Sequence, residues 1–152
     1  MSAVLRPAGV EPMRESDLRA VLEIEEGIYE FPWTLGNFRD SLRAGYACWV
    51  IREGRRVIGY AVLMLAAGEA HLLNLSVAAG SQRRGHGRSL LHAVVLAARA
   101  YKAKVLFLEV RPTNEVGKRL YAGYGFRQIG VRRGYYPARK GREDALVLAL
   151  DL

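Results

Sequence analysis

Apolar side chains recur along this chain with two periods, about 3.6 residues in some stretches and 2 in others, and the switches between them mark its elements. Leu18, Val21, Leu22, Ile28 and Tyr29 fall at helical spacing behind Ser16, which stands where a helix N-cap belongs. The Phe31-Pro32-Trp33-Thr34 step breaks that helix, and Thr34 is placed to cap a shorter one with Leu35, Phe38 and Leu42 on its apolar face. From Tyr46 the pattern changes. Ala47–Arg52 and Val57–Leu65 are apolar runs joined by Glu53-Gly54-Arg55-Arg56, and a third run, Ala70–Val77, follows Ala67-Gly68-Glu69. Three strands with such short connections form an antiparallel meander. A basic glycine-rich loop, Gly80–Gly87, leads into a helix over Arg88–Tyr101 with Leu90, Leu91, Val94, Val95 and Ala98 on one face. Val105–Val110 is nearly continuous in apolar residues, as expected of a strand buried on both faces. Asn114–Tyr124 reads as a helix ended by Gly125, and Phe126–Tyr136 and Ala145–Leu150 as closing strands. Residues 1–12 hold Pro7, Gly9 and Pro12 without periodicity and read as a flexible leader; residues 13–152 read as one domain. The order of elements predicts an α/β protein, a mixed α+β sandwich.

Composition narrows the class. At 152 residues, 51% hydrophobic, the chain suffices for one core and is short for two ordinary domains. Cys48 stands alone, and His71, His86 and His92 are scattered, so neither an internal disulfide nor a zinc ligand set is expected, and no metal. The N-terminus lacks a basic segment followed by an apolar run, and no apolar stretch approaches the roughly 20 residues of a membrane span. The expectation is a cytoplasmic enzyme without membrane contact. The net charge of +8 points to anionic partners: nucleic acid, a phosphorylated cofactor or a ribosomal surface. Charge does not choose among them, and arginine runs such as Arg132-Arg133 also serve as a solvated surface.

The strand Leu72–Val77 followed by Gln82-Arg83-Arg84-Gly85-His86-Gly87-Arg88 and a helix carries the most chemistry. Such a loop presents backbone N–H groups and the positive end of a helix dipole to one point, which suits a pyrophosphate. Gly85 and Gly87 let the backbone approach, while Arg83, Arg84 and Arg88 add charge. The dinucleotide fingerprint fails because Leu90 stands where its third glycine belongs, and the nucleotide-triphosphate loop fails for want of Gly-Lys-Ser/Thr. The second feature is Glu109 inside the apolar strand Leu108-Glu109-Val110-Arg111. Unpaired burial of a carboxylate costs several kcal/mol, so Glu109 needs an arginine partner or a cleft.

Gln-x-x-Gly-x-Gly between strand and helix, with Leu120-Tyr121-Ala122-Gly123-Tyr124-Gly125-Phe126 after Glu109, resembles the GNAT acetyltransferases. The resemblance implies a central mixed sheet flanked by helices and acetyl-CoA as co-substrate. It implies cofactor contacts from Leu75, Ser76, Val77, Arg83, Arg84, Gly85, His86, Gly87, Arg88 and Asn114, the last equally readable as a helix cap. Glu109 becomes the base acting through water, a backbone N–H near Val77 the holder of the carbonyl oxygen, and Tyr121 the acid. Phe31-Pro32-Trp33, Asn74-Leu75-Ser76-Val77 and the tail from Tyr135-Tyr136-Pro137 to Gly141-Arg142-Glu143-Asp144-Ala145 are similar to a branch of the family that acetylates the N-terminal alanine of a ribosomal protein. That resemblance implies a ribosomal protein N-terminus as substrate, ribosome association, and no direct nucleic-acid function. It assigns substrate contacts to Trp33, Asn74, Tyr135 and Tyr136, with the two tyrosines in the loop between the last strands and Trp33 either in the opposite wall or in the core. Departures are Ala78-Ala79 where Asp-Pro is frequent, Ser76 where alanine is usual, and Gly117, which lowers helix propensity by on the order of 1 kcal/mol. The alternatives are acetylation of a small-molecule amine, which needs an acidic pocket, and a ribosome- or RNA-binding module with a vestigial coenzyme site, to which Arg132-Arg133-Gly134-Tyr135-Tyr136 would lend stacking surfaces.

Overall fold

The computed structural model of the chain describes residues 9–152. Seven strands form one sheet: β1 (Val10–Pro12), β2 (Ala47–Glu53), β3 (Arg56–Ala66), β4 (Glu69–Val77), β5 (Val105–Val110), β6 (Arg127–Pro137) and β7 (Arg142–Asp151). Their spatial order is β1-β2-β3-β4-β5-β7-β6, antiparallel throughout except for β4 and β5. A parallel pair requires a crossover. Helix α3 (His86–Ala100) supplies it; α1 (Leu18–Ile28) and α2 (Leu35–Arg43) precede the meander, and α4 (Glu115–Tyr124) joins β5 to β6. The mixed sheet flanked by helices is the architecture expected.

The period of 2 sends alternate residues of β2 to opposite faces. Cys48 and Val50 join Leu18, Val21 and Phe38 in a core under α1 and α2, whereas Trp49 and Ile51 join Leu90, Leu91, Val94, Val95 and Ala98 in the core under α3. Burying each of these larger apolar side chains contributes about 1.5–3 kcal/mol. Burial also pushes the Cys48 thiol up to about 11. Close approach of α3 to β3 depends on Gly59, where an added Cβ would lie 2.9 Å from the Ser76 carbonyl oxygen and 3.1 Å from Leu90 Cδ1. Gly59→Ala is therefore expected to lower stability by roughly 1–3 kcal/mol, as overpacking does, read as a fall in the denaturant midpoint. An unchanged midpoint would contradict this packing.

Several boundaries differ from the sequence reading. Of the leader, residues 1–8 lie outside the described residues, and Val10–Pro12 is a strand paired with Trp49–Ile51 whose Val10 side chain is buried. Ser16 does not cap α1: Asp17 stands at the N-cap position, its carboxylate accepting the Arg14 N–H at 2.9 Å and the Arg52 guanidinium at 2.6 Å. Thr34 does cap α2, accepting the Asn37 N–H at 3.1 Å while Asn37 Oδ1 accepts the Thr34 N–H at 2.9 Å. Helix α3 starts at His86 rather than Arg88, because Gly85 takes φ +83° at its N-cap and turns the chain into the helix earlier. Only Leu106, Leu108 and Val110 of β5 are fully buried; Val105, Phe107 and Glu109 face a partly open side. Gly117 has a local reason: a Cβ there would lie 2.7 Å from Asn114 Nδ2, the side chain that caps α4 by accepting the Gly117 N–H at 2.9 Å. Tyr135 and Tyr136 lie in β6, not in a loop. The irregular register between Arg132 and Tyr136 carries the strand on to pair Tyr136 with Glu143. Among the described residues no helix is long and apolar enough to cross a membrane, and no group of three His, Cys, Asp or Glu side chains could hold a metal ion.

Candidate active site

The parallel register of β4 and β5 runs only from Ala70 and Leu106 to Leu72 and Leu108, although β4 continues to Val77 and β5 to Val110. Past Leu72 the two strands part, and β4 keeps a strand neighbour, β3, on one side alone. Two cavities occupy the opening, of about 570 Å³ and about 450 Å³, within the size range of ligand sites. Ile28, Tyr29, Leu75, Asn114 and Tyr121 line both, so the cavities meet there.

The smaller cavity is built on the phosphate loop. Gln82 pins the loop to the sheet by donating from Nε2 to the Val77 carbonyl at 3.0 Å, and Arg83 takes a left-handed φ of +66° to make the turn. The first helical hydrogen bond of α3 runs from the Ser89 N–H to the Gly85 carbonyl at 3.0 Å, leaving the N–H groups of His86, Gly87 and Arg88 without helical acceptors. A side chain at Gly87 would meet Leu120 at 3.3 Å and close the gap to α4. An open backbone surface with free donors at a helix start fits the pyrophosphate of a coenzyme. Leu75, Ser76, Val77, Arg83, Gly85, His86, Gly87, Arg88 and Asn114 all line this cavity. Arg84 does not; its guanidinium turns to Glu53 at 3.5 Å on the β2–β3 hairpin, where His86 Nε2 also lies 3.3 Å from that carboxylate. The Asn114 side chain combines its two sequence readings, as helix cap and as cavity wall.

The larger cavity gathers Trp33, Asn74, Glu109, Tyr121, Tyr135 and Tyr136. The Glu109 side chain is only 4% exposed. Its Oε2 lies 2.5 Å from His71 Nε2 and its Oε1 3.4 Å from Arg132 Nε, yet Oε1 has no hydrogen-bond partner among the described residues. Both sequence readings of this carboxylate, an arginine partner and a cleft, hold together. Tyr121 is buried against Phe126, ring centroids 5.5 Å apart, and its hydroxyl has no hydrogen-bond partner among the described residues. Burial raises the pKa of that hydroxyl above the usual tyrosine value, and its neighbours Tyr29 and Tyr136 push the same way. Ser76 is buried, its Oγ 2.6 Å from the Tyr29 hydroxyl and donating to Asn74 Oδ1 at 3.0 Å. Trp33 both lines the cavity and packs on Phe38 at 5.1 Å between ring centroids.

Sequence reasoning missed four of the residues that build this cavity. Glu25 sits on the buried stripe of α1 with Leu18 and Val21, and a carboxylate on an apolar stripe was the available signal. Its Oε1 accepts from the Tyr60 hydroxyl at 2.6 Å and from Asn74 Nδ2 at 2.9 Å, and its Oε2 from the Trp33 N–H at 3.0 Å. It thus ties α1, the Phe31–Trp33 wall and the two central strands together, and it occupies both polar ends of the Asn74 side chain together with Ser76. Arg111 spans the mouth, its guanidinium carbon 4.3 Å from the centre of the Tyr136 ring and 5.8 Å from that of Phe31. Tyr29 and His71 also line the cavity. Arg132 and Tyr135 stack on one another and Tyr136 turns under Arg111, so these aromatics are engaged at the cleft.

Residues 18–126 match the model of the acetyltransferase (GNAT) family. The chain is 34% identical over 144 residues to a Haemophilus ducreyi protein named as a ribosomal protein bS18 alanine N-acetyltransferase, covering 94% of this chain and 99% of the relative. It superposes on the crystal structure of the ribosomal-protein-S18-alanine N-acetyltransferase from Escherichia coli with a TM-score of 0.85 at 32% identity, covering 93% of this chain and 92% of the other. The ribosomal-protein-alanine N-acetyltransferase from Brucella melitensis gives a TM-score of 0.78 at 25% identity over 94% of this chain and 99% of that one.

Proposed function

The chain belongs to the GNAT family, so its reaction is acetyl transfer from acetyl-CoA to an amine, and we propose that this amine is the N-terminal α-amine of a protein, the N-terminal alanine of a small-subunit ribosomal protein. The observation that carries this reading is the meeting of the two cavities at Tyr121, with the carboxylate residue Glu109 lining the larger one. The curated relatives' named activity supports the choice of substrate. On this reading the protein is cytoplasmic and meets its substrate at or near the ribosome, toward which its charge of +8 is complementary.

Acetyl-CoA supplies an activated acetyl group as a thioester. The chain's own residues supply the rest. The N–H groups of His86, Gly87 and Arg88, with Arg83 and Arg88 side chains beside them, bind the pyrophosphate. Glu109 takes a proton, through water, from the incoming ammonium. An α-amine titrates near ~8 and a lysine near ~10.4, so at neutral pH roughly a tenth of the former but under a thousandth of the latter is already free base. A carboxylate is therefore an adequate base for an N-terminus. The edge of β4 that lacks a strand neighbour, near Val77, offers backbone N–H groups to the carbonyl oxygen as it gains charge. Tyr121 protonates the departing thiolate. Trp33 and Phe31 on one side and Tyr135 and Tyr136 on the other enclose the first residues of the peptide, with Asn74 shaping the floor through Glu25.

Cofactor placement is tested by Gly85→Val and Gly87→Val. Each should raise the KM for acetyl-CoA by roughly tenfold or more, a loss of about 1.4 kcal/mol at the phosphates. Wild-type KM values in both variants would remove the pyrophosphate from this loop.

A further inference from the structure

We propose that His71 is the positioning residue for Glu109, holding one carboxylate oxygen so that the other is the one presented to the substrate. This rests on the reading of Glu109 as the base. His71 and Phe107 are register partners across β4 and β5, and their rings stack with centroids 4.3 Å apart at an interplanar angle of 20°. Glu109 lies two residues beyond Phe107 on the same face of β5, which brings its Oε2 to 2.5 Å from His71 Nε2. The ring is thus fixed by Phe107 on its flat side and by the carboxylate at its edge, and the His71 side chain is only 13% exposed.

The two oxygens of Glu109 have different environments. Oε2 is tied to the imidazole, whereas Oε1 is buried without a hydrogen-bond partner among the described residues. In the role of base Glu109 is the acceptor, and the proposal assigns His71 the tautomer with the hydrogen on Nε2, which donates to Oε2. Arg132 does not substitute for it: at 3.4 Å it makes no hydrogen bond, and its side chain is 53% exposed. Of the other charged and titratable groups around this carboxylate, Tyr135 and Tyr136 of β6 and Arg111, just past the end of β5, engage one another or the cleft mouth. Glu25 of α1 has both oxygens occupied by Tyr60, Asn74 and Trp33. His71 alone among the described residues hydrogen-bonds the Glu109 carboxylate, and so fixes its rotation. Without it the carboxylate is free to turn about its last bond, and neither oxygen keeps a fixed direction.

Four variants test this: His71→Phe, which keeps a stacking ring and loses the donor; His71→Gln, which keeps a donor; Glu109→Gln; and the His71→Phe/Glu109→Gln double variant. Turnover and both KM values are measured with acetyl-CoA and an Ala-initiated peptide, with melting temperatures to establish that each variant is folded. His71→Phe should lower kcat by ~10- to 10²-fold, the scale of a misplaced catalytic group, and leave the KM for acetyl-CoA unchanged. His71→Gln should recover most of the loss. In the Glu109→Gln background His71→Phe should cost nothing more, because the group it positions is already gone. The proposal is overturned if His71→Phe turns over at the wild-type rate, if it loses the same factor in both backgrounds, or if His71→Gln is as slow as His71→Phe. Glu109→Gln at the wild-type rate is a separate result: it removes the base assignment itself, and this inference with it.

Discussion

Glu109→Gln is expected to slow turnover at neutral pH by ~10²–10⁴, the cost of a lost general base. Glutamine keeps the size of the side chain and an oxygen for the His71 hydrogen bond, so the fold under β5 is preserved and the loss reads on chemistry. The deficit should not be constant. As pH rises through ~8 the α-ammonium deprotonates unaided and the need for Glu109 falls. Turnover against pH, with an Ala-initiated peptide and saturating acetyl-CoA, should therefore show the variant approaching the wild type on the alkaline side. A loss by the same factor at every pH would make Glu109 an orienting carboxylate rather than a base.

Tyr121→Phe should produce a loss of comparable order, ~10²-fold or more, with the opposite pH behaviour. Its role is to give a proton to the thiolate, which alkali does not replace. Burial holds the Tyr121 hydroxyl above the usual tyrosine range, so the wild-type acid remains protonated through neutral and mildly alkaline pH. The ratio of wild-type to variant rates should then stay flat over the interval in which the Glu109→Gln deficit shrinks. Cofactor affinity should survive, because the ring still fills its place against Phe126 and only one hydroxyl is lost. A Tyr121→Phe deficit that closes with rising pH would end its assignment as the acid.

The parts of this molecule that announce themselves in the sequence are those governed by neighbours along the chain. The apolar periods locate the three strands from Ala47 to Val77 and the α3 stripe, Thr34 marks the α2 cap, and Gly125 takes φ +113° where a helix must end. Strand β1 left no signal because it is three residues long and buries a single side chain, Val10. The apolar pattern runs its closing strand to Tyr136, as β6 does, whereas the resemblance put Tyr135 and Tyr136 in a loop; Gly134, with φ +59°, and a register irregularity lie beside them. Of the catalytic candidates, Glu109 was legible because a lone carboxylate interrupts an apolar strand, and Tyr121 through its helix-end motif. Their surroundings were not. His71 reaches Glu109 across 38 residues of chain and Glu25 reaches Asn74 across 49, and such pairings exist only once the sheet register is set. Arg84 reads as a phosphate ligand from its place in the basic glycine-rich loop, but the hairpin carboxylate of Glu53 lies within its reach.

The most direct test of the whole account is the position of the acetyl group on a peptide that offers a choice. A peptide bearing an N-terminal alanine and an internal lysine is incubated with the enzyme and acetyl-CoA, in parallel with a polyamine, and the products are sequenced by tandem mass spectrometry. The account predicts a single acetyl group on the alanine α-nitrogen, an untouched lysine and little turnover of the polyamine. Acetylation confined to the lysine side chain, or turnover of the polyamine with none of the peptide, would contradict it.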